Sequence, residues 1–257
     1  MPERTSYEPG TPSWVDLTVP DLDAALSFYG GLFGWEFEDA GEEAGHYHQA
    51  LKRGKRVAGL GPNQPGAPPT AFWTTYFSGT DVDAHTTAIT DAGGNVMFGP
   101  LEVMDQGRML VGQDPVGAMF GIWEPAAHYG AQLVDENGTL SWNELIGNDV
   151  DTATRFYAAV FGHGIQDLPE APPGVAYKLL VVGDRPVGGI SGMGGDAPPS
   201  WMTYFMLDDV DAGFEKVREL GGEVLSEPSD SPYGRYAPVR DPQGAVFSLI
   251  QGPTTSG

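Results

Sequence analysis

Hydrophobic and polar residues alternate along residues 13–19, and this alternation predicts a β-strand. The two faces of the strand carry Val15, Leu17 and Val19 on one side and Trp14, Asp16 and Thr18 on the other. The pattern then takes on the helical period, with Asp21 as the predicted N-cap and Gly34 as the end of the helix. Strand-like segments follow at residues 46–52 and 57–61.

A second unit of the same kind begins at Trp73. A strand there is followed by a predicted helix from the DVDA sequence to a pair of glycines, and then by strands near residues 109–112 and 118–123. The pattern predicts a strand, a helix and three strands, twice in each half of the chain. Loops rich in proline and glycine at residues 61–69 and 168–174 have lengths that suit the mouth of a cavity.

The two halves of the chain are an internal duplication. The 30 residues from Gly10 and the 30 residues from Gly138 align without a gap and are identical at 13 positions. A repeat of this length predicts domains with their own cores, not a solenoid. We expect a first domain at residues 1–125, a linker at 126–137 and a second domain at 138–257.

Composition narrows the classes of function. The net charge of −22 argues against a nucleic-acid partner, since phosphate binding is built on clustered Lys and Arg. The chain has no cysteine, which excludes thiolate metal sites and thiol nucleophiles. We see neither a signal-peptide pattern nor an apolar stretch long enough for a membrane, and we expect a cytoplasmic protein. No P-loop or dinucleotide fingerprint is present, so no cofactor is expected.

Four motifs stand out along the chain: LTVPDLDAALSFYGGLFGW, YF followed by DVDA, a helix that ends in GG, and DPVGAMF. Together they resemble the vicinal oxygen chelate (VOC) superfamily, which contains glyoxalases, bleomycin resistance proteins and dioxygenases. The tandem arrangement is similar to two-domain actinobacterial proteins labelled hydroxylase or glyoxalase-like. The resemblance implies an α+β fold of two tandem domains, each made of two βαβββ modules that curl around a cavity. A monomer then suffices because the halves can pair with each other, although a homodimer remains possible.

In metal-dependent members of that superfamily, His, Gln or Glu ligands occupy fixed positions on strands that face the cavity. The resemblance carries those positions onto residues that are poor ligands: Trp14 and Trp142, Thr74 and Met202, and Gly121 and Ser248. We therefore expect the metal site of the superfamily to be missing. His46 and His48 are a weaker alternative, since a strand would point both to one side, where Asp16 or another carboxylate could join them.

Large aromatic and thioether side chains are predicted to line the two cavities. They are Trp14, Tyr76, Met119 and Trp123 in the first half, and Trp142, Met202, Tyr204, Met206 and Ile250 in the second. Such a lining suits a flat apolar or aromatic ligand. The alternative is that these side chains fill the space and form a core.

Asp16 and Glu144 occupy equivalent places beside those tryptophans. Burial would raise the pKa of each carboxyl and prepare it for proton transfer, with Tyr76 or Tyr204 as a hydrogen-bond donor to the substrate. In the structural alternative each acid accepts backbone N–H groups or pairs with an arginine such as Arg108 or Arg235. Those arginines can instead pair with Asp114 and Asp241.

Three functions remain open at this point. The first is metal-independent binding of a small apolar or aromatic molecule, as in sequestration or resistance. The second is a metal-independent enzyme, of hydroxylase, lyase or isomerase type, that uses Asp16 or Glu144 as acid or base. The third is a glyoxalase-like metalloenzyme with unconventional ligands. In each case the partner is a small molecule.

Overall fold

A computed structural model describes residues 3–64, 66, 68–169, 171 and 174–252. The first half contains β1 (Pro12–Val19), α1 (Leu22–Phe33), β2 (Glu36–Asp39), β3 (His48–Lys52), β4 (Lys55–Pro62), β5 (Phe72–Ser78), α2 (Val82–Asp91), β6 (Asn95–Val103), β7 (Gly107–Gln113) and β8 (Met119–Pro125). The second half contains β9 (Thr139–Ile146), α3 (Val150–Phe161), β10 (Gly164–Asp167), β11 (Tyr177–Val182), β12 (Arg185–Ser191), β13 (Ser200–Met206), α4 (Val210–Glu219), β14 (Glu223–Val224), β15 (Ser229–Ser231), β16 (Gly234–Arg240) and β17 (Val246–Gln251).

The predicted order of a strand, a helix and three strands is confirmed, and the last module carries one additional short strand. Each half forms one sheet, in the order β2-β3-β4-β1-β5-β8-β7-β6 and β10-β11-β12-β9-β13-β17-β16-β14, with β15 paired to β16. Antiparallel pairing of β1 with β5, and of β9 with β13, joins the two modules of each half. Parts of the two loops predicted at a cavity mouth, namely residues 65, 67, 170 and 172–173, lie outside the described residues.

Capping residues set the start of each helix. The side chains of Asp21, Asp81, Asp149 and Asp209 all accept backbone N–H groups of the first helical turn. Helix α1 ends at Gly34, whose φ of 66° is a left-handed conformation that glycine adopts without strain. The predicted caps of the first helix are thus confirmed.

The hydrophobic cores are shared between the halves. One core joins α1 and its sheet to α4 and β17, and the rings of Phe33 and Phe205 lie 4.9 Å apart in it. The other joins α2 and β8 to α3, with Phe120 and Phe156 at 5.7 Å. Each helix covers one face of its sheet and leaves the opposite face concave. The expectation of a separate core in each half is therefore wrong. The domain boundaries at residues 1–125 and 138–257, with a linker at 126–137, stay a prediction.

Buried hydrogen bonds also join the two halves. The Tyr29 hydroxyl donates to Asp241 at 3.0 Å, and the Tyr157 hydroxyl donates to Asp114 at 3.0 Å. Both carboxylates are buried, and each also accepts backbone N–H groups from its own turn. The DPxG aspartates, which occur in both halves, thus make contacts between the halves.

The arginine pairings considered from sequence are wrong. Arg108 pairs with Asp83 at 3.0 Å and with Glu124 at 3.5 Å. Arg235 pairs with Asp211 and Asp230, at 3.1 Å and 3.2 Å. The cause is the position of both arginines near the start of a strand, where carboxylates of a helix and of a neighbouring strand are within reach.

None of the helices in the described part of the chain is both long and apolar enough to cross a bilayer.

Candidate functional site

The concave face of the first sheet brings together residues that are far apart in sequence. Trp14 and Asp16 alternate with core residues on β1, and the β1–β5 register places Trp14 opposite Tyr76 and Asp16 opposite Thr74. The indole Nε1 of Trp14 donates to the Tyr47 hydroxyl at 2.9 Å. Tyr76 and Tyr47 therefore lie beside the Asp16 carboxyl, and Trp14 and Tyr76 are buried in the hydrophobic core, as in the packed-core alternative.

Asp16 has a strongly shifted acidity. Burial raises the pKa of its carboxyl to about 7, against the opposing effect of hydroxyl groups from Tyr76, Thr74 and Tyr47. A carboxyl with this pKa exists in both protonation states near neutral pH.

The second half repeats this arrangement with Glu144 in place of Asp16. The Glu144 Oε2 atom accepts from the Tyr204 hydroxyl at 3.1 Å and from the Tyr177 hydroxyl at 3.3 Å. Trp142 Nε1 donates to Tyr177 at 3.3 Å. Burial raises the pKa of the Glu144 carboxyl, and the hydroxyls of Tyr204, Ser191 and Tyr177 oppose that shift.

The sequence analysis did not predict Tyr47 and Tyr177, whose hydroxyl groups contact Asp16 and Glu144 respectively. The signal was present in the repeat, because His46-Tyr47-His48 aligns with Ala176-Tyr177-Lys178 and only the tyrosine is shared. Each phenol lies over a glycine of the neighbouring strand: a Cβ at Gly59 would be 1.6 Å from the Tyr47 hydroxyl, and one at Gly189 would be 2.1 Å from that of Tyr177. The two glycines thus make room for the two phenols.

A cavity of about 1050 Å³ opens on the concave face of the second sheet. Glu144 lies in its wall beside a predominantly aromatic and aliphatic lining that includes Trp142, Tyr177, Leu179, Tyr204, Tyr236 and Ile250. Trp142, Tyr204 and Ile250, which the sequence analysis placed at a cavity, are among these lining residues. Met202 and Met206 are partly exposed on β13 and are not among its described lining residues.

The N-terminal segment of the first half forms part of that cavity wall, which the sequence did not predict. Its contributing residues are Arg4, Ser6, Tyr7, Glu8, Thr11 and Pro12. The Tyr7 hydroxyl donates to the Ala131 carbonyl at 2.6 Å, and Arg4 pairs with Asp135 at 3.7 Å. These contacts hold the segment across the second half.

The remaining predicted cavity residues of the first half lie on β8. Trp123 is buried in the hydrophobic core, and its Nε1 donates to the His128 carbonyl at 2.7 Å, while Met119 is exposed. The His128 imidazole stacks edge-on against Trp14, with ring centroids 4.4 Å apart. Burial and the Arg56 charge lower the pKa of His128 to about 4, so it is neutral. His128, which the sequence analysis placed in the linker, therefore packs against Trp14, two residues from Asp16.

The positions of the superfamily's metal ligands do not suit a metal ion. Trp14 and Trp142 use their indole N–H as donors to phenols, and nothing in an indole can coordinate a cation. At Gly121 the space for a side chain is filled by the Tyr76 ring, 2.1 Å from where a Cβ would stand. Within residues 3–252, apart from 65, 67, 170 and 172–173, no three His, Asp or Glu side chains are grouped closely enough to hold a metal.

His46 and His48 lie away from the concave face. His46 Nδ1 is 3.0 Å from an Asp39 carboxylate oxygen, and both groups are exposed. His46 precedes β3 in a left-handed conformation, with φ 58°, so the predicted strand geometry does not apply to the pair. Their proposed partner Asp16 instead faces Tyr47, the residue between them.

Comparison with known proteins gives a consistent family. The model of the Glyoxalase/Bleomycin resistance protein/Dioxygenase superfamily matches residues 11–122 and again 139–249. A protein of Mycobacterium tuberculosis (strain CDC 1551 / Oshkosh) named "Putative glyoxylase CFP32" is 43% identical over 98% of each chain. The anthracycline biosynthesis protein DnrV of Streptomyces peucetius is 38% identical, over 96% of this chain and 95% of its own.

Solved structures share the fold at low identity. The Mn(II)-bound glyoxalase from Novosphingobium aromaticivorans superposes with a TM-score of 0.64 at 18% identity, over 95% of this chain and 82% of that one. The 2,2',3-trihydroxybiphenyl 1,2-dioxygenase of Sphingomonas wittichii strain RW1 gives a TM-score of 0.65 at 17% identity, over 95% and 91%. With two family matches, two βαβββ modules per half and relatives that span its length, this chain belongs to the Glyoxalase/Bleomycin resistance protein/Dioxygenase superfamily.

Proposed function

We propose that this protein binds a small planar aromatic molecule in the cavity of its second half, without a metal ion. The observation that carries the proposal is the cavity itself: about 1050 Å³, walled by Trp142 and several tyrosines, with the Glu144 carboxyl in its wall. Pockets of this size with mainly apolar walls and a few polar groups are typical small-molecule sites.

Aromatic walls favour a flat ligand over a flexible aliphatic one. Indole and phenol rings gain most from stacked or edge-on contacts with another ring. The polar ends of Trp142 and Tyr204 already donate hydrogen bonds, to Tyr177 and to Glu144 respectively. The similarity to anthracycline biosynthesis proteins at 38% identity supports a polycyclic ligand. We therefore favour sequestration or presentation of a polycyclic aromatic compound.

A metal-independent enzyme is the second candidate, and the acidity of Asp16 favours it. A carboxyl whose pKa is raised to about 7 is suited to give and take a proton at neutral pH. The Tyr76 hydroxyl lies beside it and can donate to a substrate carbonyl or enolate. In this case Asp16, or Glu144 in the second half, is the acid or base.

Ligand titration tests the first candidate directly. The anthracycline doxorubicin is titrated against the protein and against Leu179→Trp, which places a large ring inside the cavity. We expect saturable binding to the wild type and its loss in Leu179→Trp. Met97→Trp, at an exposed position of β6, is the matched control and should bind like the wild type. Equal binding by all three proteins, or by none, would refute the proposal.

Carboxylate-to-amide variants separate the two candidates. Asp16→Asn and Glu144→Gln keep the size of each side chain but remove its acidity. If the protein is an enzyme, one of these changes abolishes turnover by proton transfer. If it only binds its ligand, stacking on the aromatic walls persists in both variants. Turnover that survives in both variants excludes the enzymatic candidate as stated.

A further inference from the structure

Two large apolar side chains that line the second-half cavity are exposed to solvent. Met193 and Tyr233 both belong to its lining, and their exposed fractions are 46% and 49%. Met193 lies in the loop after β12, and Tyr233 lies in the turn between β15 and β16. A single exposed apolar side chain is common and needs no explanation. Two of them, brought by separate segments to one cavity, form an apolar surface at its open side that a ligand can cover.

The first half carries a polar residue at each equivalent position. Asn63 follows VAGLGP and Met193 follows VGGISG, while Gln106 and Tyr233 each precede a Gly-Arg pair. The Asn63 amide donates to backbone carbonyls of its own loop, and the Gln106 amide donates to Asp105 at 2.6 Å. The two amides thus serve their own loops. Because large apolar groups replace both of them in the half that holds the cavity, these groups serve the cavity and not the fold that the halves share.

The backbone holds both exposed side chains in place. The Gly192 N–H donates to the Ala176 carbonyl at 2.8 Å, and the Asn148 amide donates to the Gly195 carbonyl. The loop is therefore anchored on both sides of Met193. The turn between β15 and β16 is likewise closed, by a hydrogen bond of 2.9 Å between a hydroxyl and a backbone carbonyl. Side chains held in this way can contact a ligand without the cost of ordering a loop.

We infer that Met193 and Tyr233 are specificity-determining residues, which pack against the part of the bound ring system nearest the open side of the cavity. A thioether gains most from contact with an aromatic ring, and a phenol ring gains most from stacked or edge-on contact with another ring. Both residues therefore favour an aromatic ligand over an aliphatic one of the same size. This inference rests on the proposed function and adds two contact residues to it.

Exchange of each residue for its counterpart in the first half tests the inference. The affinity for doxorubicin is measured by fluorescence titration for the wild type, Met193→Asn and Tyr233→Gln. We expect each change to weaken binding roughly fivefold, the usual contribution of one sulfur–ring or ring–ring contact. The melting temperature should stay the same because both side chains are exposed, which separates a lost contact from a lost fold.

Two kinds of control accompany these variants. Met97→Asn changes a methionine that is 54% exposed on β6, outside the lining of the cavity, and should bind like the wild type. Met193→Leu and Tyr233→Phe keep an apolar group of similar size, so each should retain affinity within about twofold of the wild type. Wild-type affinity in both Met193→Asn and Tyr233→Gln would overturn the inference.

Oxidation of methionine by hydrogen peroxide gives a readout that does not depend on affinity. Peroxide transfers one oxygen atom to the thioether sulfur, which becomes a sulfoxide while the peroxide is reduced to water. Peptide mass spectrometry follows this reaction at Met193, Met97 and Met104, which are all about half exposed. With saturating doxorubicin we expect a roughly threefold slower rate at Met193, since oxidation depends on exposure, and unchanged rates at the other two.

The failures of the two proposals are distinguishable. Saturable binding of doxorubicin with an unchanged rate of oxidation at Met193 would overturn the inference and leave the proposed function intact. The same holds if Met97 and Met104 are protected as strongly as Met193, because the protection is then not due to the cavity. Absence of saturable binding to the wild type would overturn the inference together with the proposed function.

Discussion

The Tyr204 hydroxyl donates to Glu144 Oε2 across 3.1 Å, in a wall of the second-half cavity. The bond joins adjacent strands, since Tyr204 is on β13 and Glu144 on β9. Tyr177 adds a second donor to the same oxygen, from β11. Three strands thus fix the orientation of one buried carboxyl, which is the arrangement that a preorganised binding group needs.

Removing that donor should change the acidity of Glu144. The Tyr204 hydroxyl opposes the upward shift of the Glu144 pKa, so Tyr204→Phe should raise the pKa further. Carbon-13 NMR of the labelled carboxyl measures the change. Tyr233→Phe, at an exposed site of the same cavity, is the control and should leave the Glu144 pKa unchanged. An unchanged or lower pKa in Tyr204→Phe would show that the bond is not formed in solution.

The cross-half hydrogen bonds predict a stability effect far from the cavity. Tyr29→Phe leaves the buried Asp241 without a side-chain donor, and we expect a loss of about 1–3 kcal/mol in the free energy of unfolding. Tyr157→Phe should cost a similar amount at Asp114. Urea denaturation provides the measurement. If either variant is as stable as wild type, the carboxylates do not depend on the contact between the halves.

The raised pKa of Asp16 predicts how the free energy of unfolding depends on pH. Its pKa is raised from 3.8 to about 7 in the folded protein, so folding favours the neutral acid. This contribution is fully present below pH about 4, and it is lost progressively as pH rises towards about 7, because the unfolded chain ionises first. Asp16→Asn has no such titration. The stability of Asp16→Asn relative to wild type should therefore rise over this range and level off above it.

Urea denaturation at a series of pH values tests that expectation. The control is Asp230→Asn, because Asp230 is exposed and pairs with Arg235, and both residues lie in the second half, away from Asp16. Its stability relative to wild type should not follow the same profile. A difference between Asp16→Asn and wild type that is flat, or that falls as pH rises, would mean that Asp16 is ionised and partnered in the folded state.

Metal addition gives a further prediction. Residues that are poor ligands, such as Trp14, Trp142 and Gly121, occupy the ligand positions of the superfamily. Stoichiometric Mn²⁺, Ni²⁺ or Zn²⁺ should therefore not raise the melting temperature above that in EDTA. Differential scanning calorimetry measures this. The variant His46→Ala tests the surface histidine separately, and a metal-dependent stabilisation that this change removes would place a site beside Asp39.

Much of the fold followed from local patterns. The period-2 run at β1 and the aspartate caps predict strands and helices because both signals depend on neighbouring residues alone. The sharing of cores between halves did not follow, since the contact of Phe33 with Phe205 joins modules at opposite ends of the chain. Periodicity shows which face of an element is apolar but does not show which other element covers it.

Periodicity likewise predicts only the part of the site that lies on single strands. Alternation on β1 and β9 places Trp14 with Asp16 and Trp142 with Glu144, and the structure agrees. Tyr47 was not predicted, because alternation along residues 46–52 does not show which other side chains a tyrosine there contacts. The N-terminal wall of the cavity was not predicted either, because its contacts with Ala131 and Asp135 join residues that are far apart in sequence.

Native mass spectrometry of the purified protein after incubation with doxorubicin tests the central claim most directly. The account predicts a complex of one chain with at least one organic molecule, formed in the presence of EDTA and lost in Leu179→Trp. A complex that forms only when a divalent metal ion is also bound would contradict it.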